Sequence, residues 1–273
     1  MTENRDLIQG SPEWHEARRS KITGSRFKDV LSTRGSTRAN YIQELLLERK
    51  TGLVAESFCN GDMEWGIQTE PQAREYYERT RDVKVTQVGF IDHPLEQYRG
   101  YVGVSPDGEV DIDGIIEIKC PNTKTHLEYV AKKVLPSKYI PQVQGVLWVT
   151  GRDWCDFISF DPRVEAEPFF CVRVDRDQAY INKLAAACDV FIQEMVELQK
   201  NQVEVDPQLL RDVTGGCSPE DWQLKLQDEI RGKVRHGVVC ALIQSGNRID
   251  YDAKTKKYIN AWVDFIMTGE SHD

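Results

Sequence analysis

The 273-residue sequence has no apolar run approaching the roughly 18 residues of a membrane-spanning helix. Its start, MTENRDLIQG, lacks the basic-then-apolar layout of a secretory leader. On both counts no membrane partner is expected, and a cytosolic location is. Seven cysteines (Cys59, Cys120, Cys155, Cys171, Cys188, Cys217 and Cys240) are odd in number, widely spaced and free of any CxxC pair. That suggests neither a disulfide framework nor a zinc or iron–sulfur site, and they are expected to be reduced packing residues. Internal repeats and low-complexity tracts are missing too, so nothing marks the chain as fibrous or disordered.

Positive charge is also in short supply. The 35 Lys and Arg are outnumbered by 44 Asp and Glu, for a net charge of -9, whereas phosphate binding usually draws on basic side chains. Distribution softens the deficit. Between Arg18 and Lys50 stand nine basic residues against three acidic ones, while Glu204 to Glu229 holds seven acids against two bases. The basic stretch is compatible with a nucleic-acid face and equally with an ordinary solvated helix surface.

What is present reads as globular: 40% hydrophobic and 29% charged residues, enough for one large domain or one domain with a small appendage. Ser11 is expected to cap a helix with Pro12 at its first position, and Ser25 to cap a second whose buried side is Phe27, Val30 and Leu31. A third helix is expected over Thr37 to Lys50, with Tyr41, Ile42, Leu45 and Leu46 on one stripe and Gly52 as the stop. In GDMEWGIQTEPQAREYYERT, Pro71 requires a helix that begins at Glu70 or kinks there, which makes Glu70 a special position either way. Strand patterns cover Val83 to Ile91, Tyr98 to Val104, and a hairpin from Glu109 to Cys120 that turns at Asp113-Gly114. Helices then follow over Thr123 to Val134 and Lys138 to Val149, strands over CDFISF and PFFCVRV, and an amphipathic helix from Arg176 to Lys200. The stretch NQVEVDP reads as a boundary, dividing a core domain (1–203) from a small, mainly helical appendage (207–273).

The chemistry concentrates in SPDGEVDIDGIIEIKC, residues 105–120. Alternation along a strand puts Glu117 and Lys119 on one side and Ile116, Ile118 and Cys120 on the other, and the hairpin brings Asp107 alongside. Two converging carboxylates repel unless a cation lies between them, and oxygen ligands favour Mg²⁺, Mn²⁺ or Ca²⁺ over zinc. Such an ion can polarise a phosphodiester and acidify a bound water, with a neighbouring ammonium holding that water for attack. The plain alternative is a salt bridge between Lys119 and one acid.

Pro106-Asp107 followed by Glu117-Ile118-Lys119 resembles the PD-(D/E)xK nuclease signature. WHEARRSKITGS, WGIQTEPQAREYY, VSPDG, IEIKCP, YIPQVQGVLWVTG and FDPR, in that order across residues 14–200, narrow the resemblance to the phage lambda exonuclease group, the YqaJ-like viral recombinases. The resemblance implies a mixed α/β fold with a restriction-endonuclease-like core, a central mostly antiparallel sheet flanked by helices. It implies metal ligation, two Mg²⁺ per site with Mn²⁺ as an alternative, by Asp107, Glu117, the carbonyl of Ile118 and Glu70. Lys119 would then position the attacking water and Gln142 reach the substrate phosphate. Arg18, Ser25 and Ser105 correspond to a grip on a terminal 5′-phosphate, with Arg19 the neighbouring candidate for Arg18.

The activity implied is 5′ to 3′ digestion of one strand of duplex DNA from a phosphorylated end, releasing mononucleotides and leaving 3′ tails for recombination. An endonuclease on the same signature and a catalytically silent DNA-end binding protein are the alternatives. Implied partners are double-stranded DNA ends, two further copies of the chain in a trimeric ring, and a single-strand annealing protein that the appendage could dock. His15 and His126 lack metal-ligand spacing. Trp14 and Trp65 could stack on bases, but core packing is expected of both.

Overall fold

In a computed structural model, residues 4–52 and 61–200 are described, with side chains from residue 64 onward in the second segment. The appendage expected over 207–273, and its boundary, lie outside them. Helix α1 (Pro12–Arg18) begins as expected, with the Ser11 hydroxyl accepting the Trp14 N–H. Strand β1 (Ile22–Thr23) leads into a 3-10 turn (Gly24–Arg26) and the one-turn α2 (Phe27–Val30). Ser25 is therefore not a cap. It lies exposed inside the 3-10 turn, because the chain starts coiling one residue earlier, at the buried Gly24.

Helix α3 (Thr37–Thr51) buries Tyr41, Ile42 and Leu45 and ends on Gly52 at φ 71°, a left-handed turn suited to glycine. Helix α4 (Gly61–Arg81) runs through Pro71 rather than starting at Glu70. Proline removes the N–H that would bond the carbonyl of Ile67, but Ile67 and Pro71 both lie on the exposed side, where water can take that bond. Thr69, Ala73 and Tyr77 line the buried side.

Short strands β2 (Val85–Thr86), β3 (Ile91–Asp92) and β4 (Val102–Val104) precede the hairpin of β5 (Gly108–Val110) and β6 (Gly114–Lys119). The remaining elements are α5 (Thr123–Lys132), α6 (Ile140–Thr150), β7 (Trp154–Phe160), β8 (Phe169–Asp175) and α7 (Gln178–Lys200). Five strands form one sheet in the order β2-β5-β6-β7-β8, antiparallel except for the parallel β6–β7 pair, and β1-β4-β3 form a small second sheet. The fold is the mixed α/β arrangement that the resemblance implied.

Each face of the large sheet has its own apolar cluster. Ile115 and Cys155 pack with Phe27, Leu147, Leu184 and Phe191 from α2, α6 and α7, while Ile116, Ile118, Ile158 and Phe160 pack with Ala73 and Tyr77 of α4. The central strands are covered on both sides, so their burial is nearly continuous instead of alternating. Gly145 permits the closest approach on the α6 side, since a β-carbon there would enter the Phe27 ring. Gly145→Ala should therefore lower stability by about 1–2 kcal/mol through overpacking, despite the better helix propensity of alanine. A urea midpoint that falls at unchanged m-value would agree, and an unchanged or raised midpoint would not.

Candidate active site

The Asp111–Asp113 turn folds β6 back on β5, pairing Gly108 with Ile116 and setting Asp107 just ahead of β5 beside the end of β6. There the Asp107 carboxylate accepts the Ile118 N–H at 2.6 Å. Glu117, only 2% exposed, points to the α6 side of the sheet, where its Oε1 meets Lys119 Nζ at 2.5 Å and Gln142 Nε2 at 2.5 Å. Gln142 arrives from the first turn of α6. Lys119 also lies over the Tyr139 ring, 5.5 Å from its centre.

Glu70 reaches the same sheet end from α4 and pairs with Arg74 one helical turn on. Arg74 Nε donates to the Asp107 carbonyl at 3.3 Å, so one guanidinium ties α4 to the loop before β5. Sequence reasoning missed Arg74, although its i,i+4 spacing from Glu70 is a readable pairing signal. Asp107, Glu117, Ile118, Lys119, Gln142 and Glu70 are thus brought to one sheet end. Among the described residues no three acidic, His or Cys side chains form a preassembled metal cage. The carboxylates are turned to Lys119, Gln142, Arg74 and the Ile118 N–H.

Their electrostatics nevertheless suit a divalent ion. Burial pushes Glu117 up to about 7, with Asp107 and Glu70 adding repulsion and Lys119 opposing it. Burial and Asp107 push Glu70 up to about 7 against Arg74 and Lys119. Asp107 is raised by burial, with Lys119, the Ile118 N–H and Arg74 opposing. Lys119 is held charged by Glu117 and Asp107 even though burial works the other way. Three oxygen donors that destabilise one another match the hard-cation donor set, and the residues present fit Mg²⁺ or Mn²⁺.

The residues expected to grip a terminal phosphate fall near this centre. Arg18 Nη1 lies 3.4 Å from Ser105 Oγ, its guanidinium is 4.0 Å from the centre of the Trp14 ring, and burial lowers it to about 10. Arg19 instead clamps Glu16 at the surface, which distinguishes the two neighbouring arginines. Trp14 does not pack in the core: half-buried, its indole N–H is shared between Ser105 Oγ at 2.9 Å and the Gly89 carbonyl at 3.1 Å. Gln9, also missed, donates to the Val88 and Pro106 carbonyls and so pins the Ser105–Asp107 loop. Ser25 forms no hydrogen bond to Arg18 or Ser105, but its turn lies beside Gln142 through Gly24. His126 is buried against Ser159 and the Glu167 carbonyl, a structural role, and His15 stands exposed.

A mixed sheet carrying Pro-Asp and Glu-x-Lys at one end defines the PD-(D/E)xK class. Residues 13–153 match the YqaJ-like viral recombinase domain, and the chain belongs to that family. It is 40% identical to the alkaline exonuclease LHK-Exo of Laribacter hongkongensis, covering 70% of this chain and 96% of that one with a TM-score of 0.65. LHK-Exo in complex with dAMP matches at a TM-score of 0.66. A phage-related exonuclease of Haemophilus somnus 129PT, 18% identical over 67% of this chain and 96% of that one, shares the fold at a TM-score of 0.52. The ExoD protein of Escherichia coli (strain K12) is 32% identical over 65 residues, 24% of this chain and 75% of that one.

The raised carboxyls set a pH dependence. A carboxyl whose folded pKa exceeds its unfolded value binds more protons when folded, so ionising Glu70 and Glu117 costs the metal-free protein stability as pH rises from about 4.5 to about 7. A divalent ion relieves that cost only where the carboxyls are ionised. The increase in Tm on adding Mg²⁺ at one fixed concentration should therefore be small near about pH 5.5 and larger near about pH 8. Equal shifts at both values would contradict the assignment.

Proposed function

We propose that the chain is a Mg²⁺-dependent 5′ to 3′ exodeoxyribonuclease acting on one strand of duplex DNA from a 5′-phosphorylated end. Membership of the YqaJ-like family and 40% identity to an exonuclease support this reading, as does the dAMP complex of that exonuclease. The observation that carries it is the loop Ser105-Pro106-Asp107. Arg18 and Trp14 meet this loop at Ser105, and the carboxylate cluster begins two residues later at Asp107. Two residues span at most about 7 Å, so a phosphate held at Ser105 and a bond facing Asp107 are neighbours along one strand. That spacing suits release of single nucleotides.

In this proposal Arg18, Ser105 and Ser25 hold the terminal phosphate, the guanidinium by paired hydrogen bonds. Lys119 holds the attacking water through its ammonium, and Glu117 and Tyr139 keep that ammonium oriented. Gln142 aligns the scissile phosphate with its amide. Asp107, Glu117, the Ile118 carbonyl and Glu70 would hold two Mg²⁺, or Mn²⁺, which when bound stabilise charge on the phosphate and acidify water. Arg74 maintains Glu70 in reach. A ring of three copies around the duplex would retain DNA by enclosure, which reconciles a net charge of -9 with processive digestion. The chain beyond residue 206 would form the appendage, available to a single-strand annealing partner.

Paired substrates test the activity. With Mg²⁺, blunt linear duplex carrying 5′-phosphate should be degraded to mononucleotides while covalently closed circles stay intact; cutting of circles would replace this reading with an endonuclease. Lys119→Ala should keep end binding and lose about 10²–10⁴-fold in rate, and unchanged digestion would show the site to be misplaced. Digestion of long duplex under a competitor trap should continue for many nucleotides and tolerate raised salt; stopping after a few would contradict the ring.

A further inference from the structure

Beyond the catalytic cluster, the same end of the sheet carries a second built cation. Asp161 follows β7, is fully buried, and takes two side-chain bonds from Arg163, Nε at 2.7 Å and Nη2 at 2.9 Å. The Thr123 hydroxyl adds a third at 2.7 Å, and the Arg163 N–H a fourth at 3.0 Å. Burial alone would raise Asp161, but these donors hold it down to about 2. On its other side the Arg163 guanidinium lies 4.2 Å from the centre of the Trp65 ring. The arginine is thus fixed between a buried carboxylate and an aromatic face, yet its side chain is 48% exposed.

A solvated ion pair does not need such support. Surface pairs contribute little and hold long side chains loosely, whereas an arginine fixed in plane with one edge left open is prepared for an oxyanion. Its position suits one. Trp65 stands five residues before Glu70 on α4, about 7.5 Å along the helix, and Ser159, two residues before Asp161, pairs in register with Lys119. Arg18 and Ser105 already account for a terminal phosphate, so this second cation has a different one to meet.

We infer that Arg163, oriented by Asp161 and stacked on Trp65, contacts a backbone phosphate of the DNA at a position separate from the terminal 5′-phosphate. The inference rests on the nuclease reading above and adds a substrate contact to it. Arg163 would act through affinity, and Trp65 and Asp161 would be positioning residues for it.

The test is the salt dependence of binding to a 5′-phosphorylated blunt duplex, measured by anisotropy with the full chain in the Lys119→Ala background. Each phosphate neutralised contributes about 0.9 to the slope of log K against log salt. Arg163→Ala and Arg163→Gln should each weaken binding several-fold at low salt and reduce the slope by about 0.9, while Arg163→Lys should keep it. The Gln variant retains an amide donor for Asp161, so it reports on charge even if the Ala variant folds poorly. A purely structural arginine would lower Tm and leave the slope unchanged in both neutral variants, and that result would overturn the inference alone. No binding of duplex ends by the parent would overturn the proposed function and this inference with it.

Discussion

At the end of β6 the partly exposed Lys119 pairs with the buried Glu117, and the arrangement of the site follows from that pairing. A carboxylate removed from water loses several kcal/mol of solvation, and attraction to an ammonium restores this only with further hydrogen bonds. Here the further bond comes from Gln142, which anchors the start of α6. Burial raises Asp107, while Lys119, the Ile118 N–H that it accepts and Arg74 oppose the shift, so the bond to Ile118 ties the loop before β5 to β6. Removing Lys119 alone would leave buried negative charge, which is why an added cation and the lysine act on the same electrostatic problem.

The loop from Ser105 to Asp107 transmits this order outward. Gln9 and Trp14 hold it from the N-terminal segment, and Arg74 holds the Asp107 carbonyl from α4. Residues far apart in sequence are therefore fixed to a three-residue stretch beside β6. Such support is what a hydrolytic site requires, since small displacements of the reacting groups cost rate steeply. It also explains why Arg18 is half-buried and directed at Ser105 while Arg19 spends its charge on Glu16 at the surface.

Much of this was legible in the sequence, because the signals were local or carried by ordered motifs. Ser11-Pro12, Gly52 and the alternation around Glu117 each specify backbone geometry within a few residues, and the structure has the corresponding cap, stop and strand. Ser25 reads as a cap because a Ser before an apolar stripe has that pattern, whereas the chain coils from Gly24 in a 3-10 turn that contains Ser25. Pro71 left two choices, and solvent on the Ile67 side allowed a continuous helix that sequence alone could not select. Trp14, Gln9 and the Trp65–Arg163 pair depend on contacts across many residues, so no periodicity marks them.

In the proposed nuclease Asp107 and Glu117 would hold a divalent cation facing Lys119. Anomalous diffraction from crystals soaked in Mn²⁺ tests it most directly. A peak should appear bounded by Asp107, Glu117 and the Ile118 carbonyl, with Glu117 drawn off the Lys119 ammonium. Peaks found only elsewhere, with the Lys119–Glu117 pair intact at Mn²⁺ concentrations that support digestion, would contradict it.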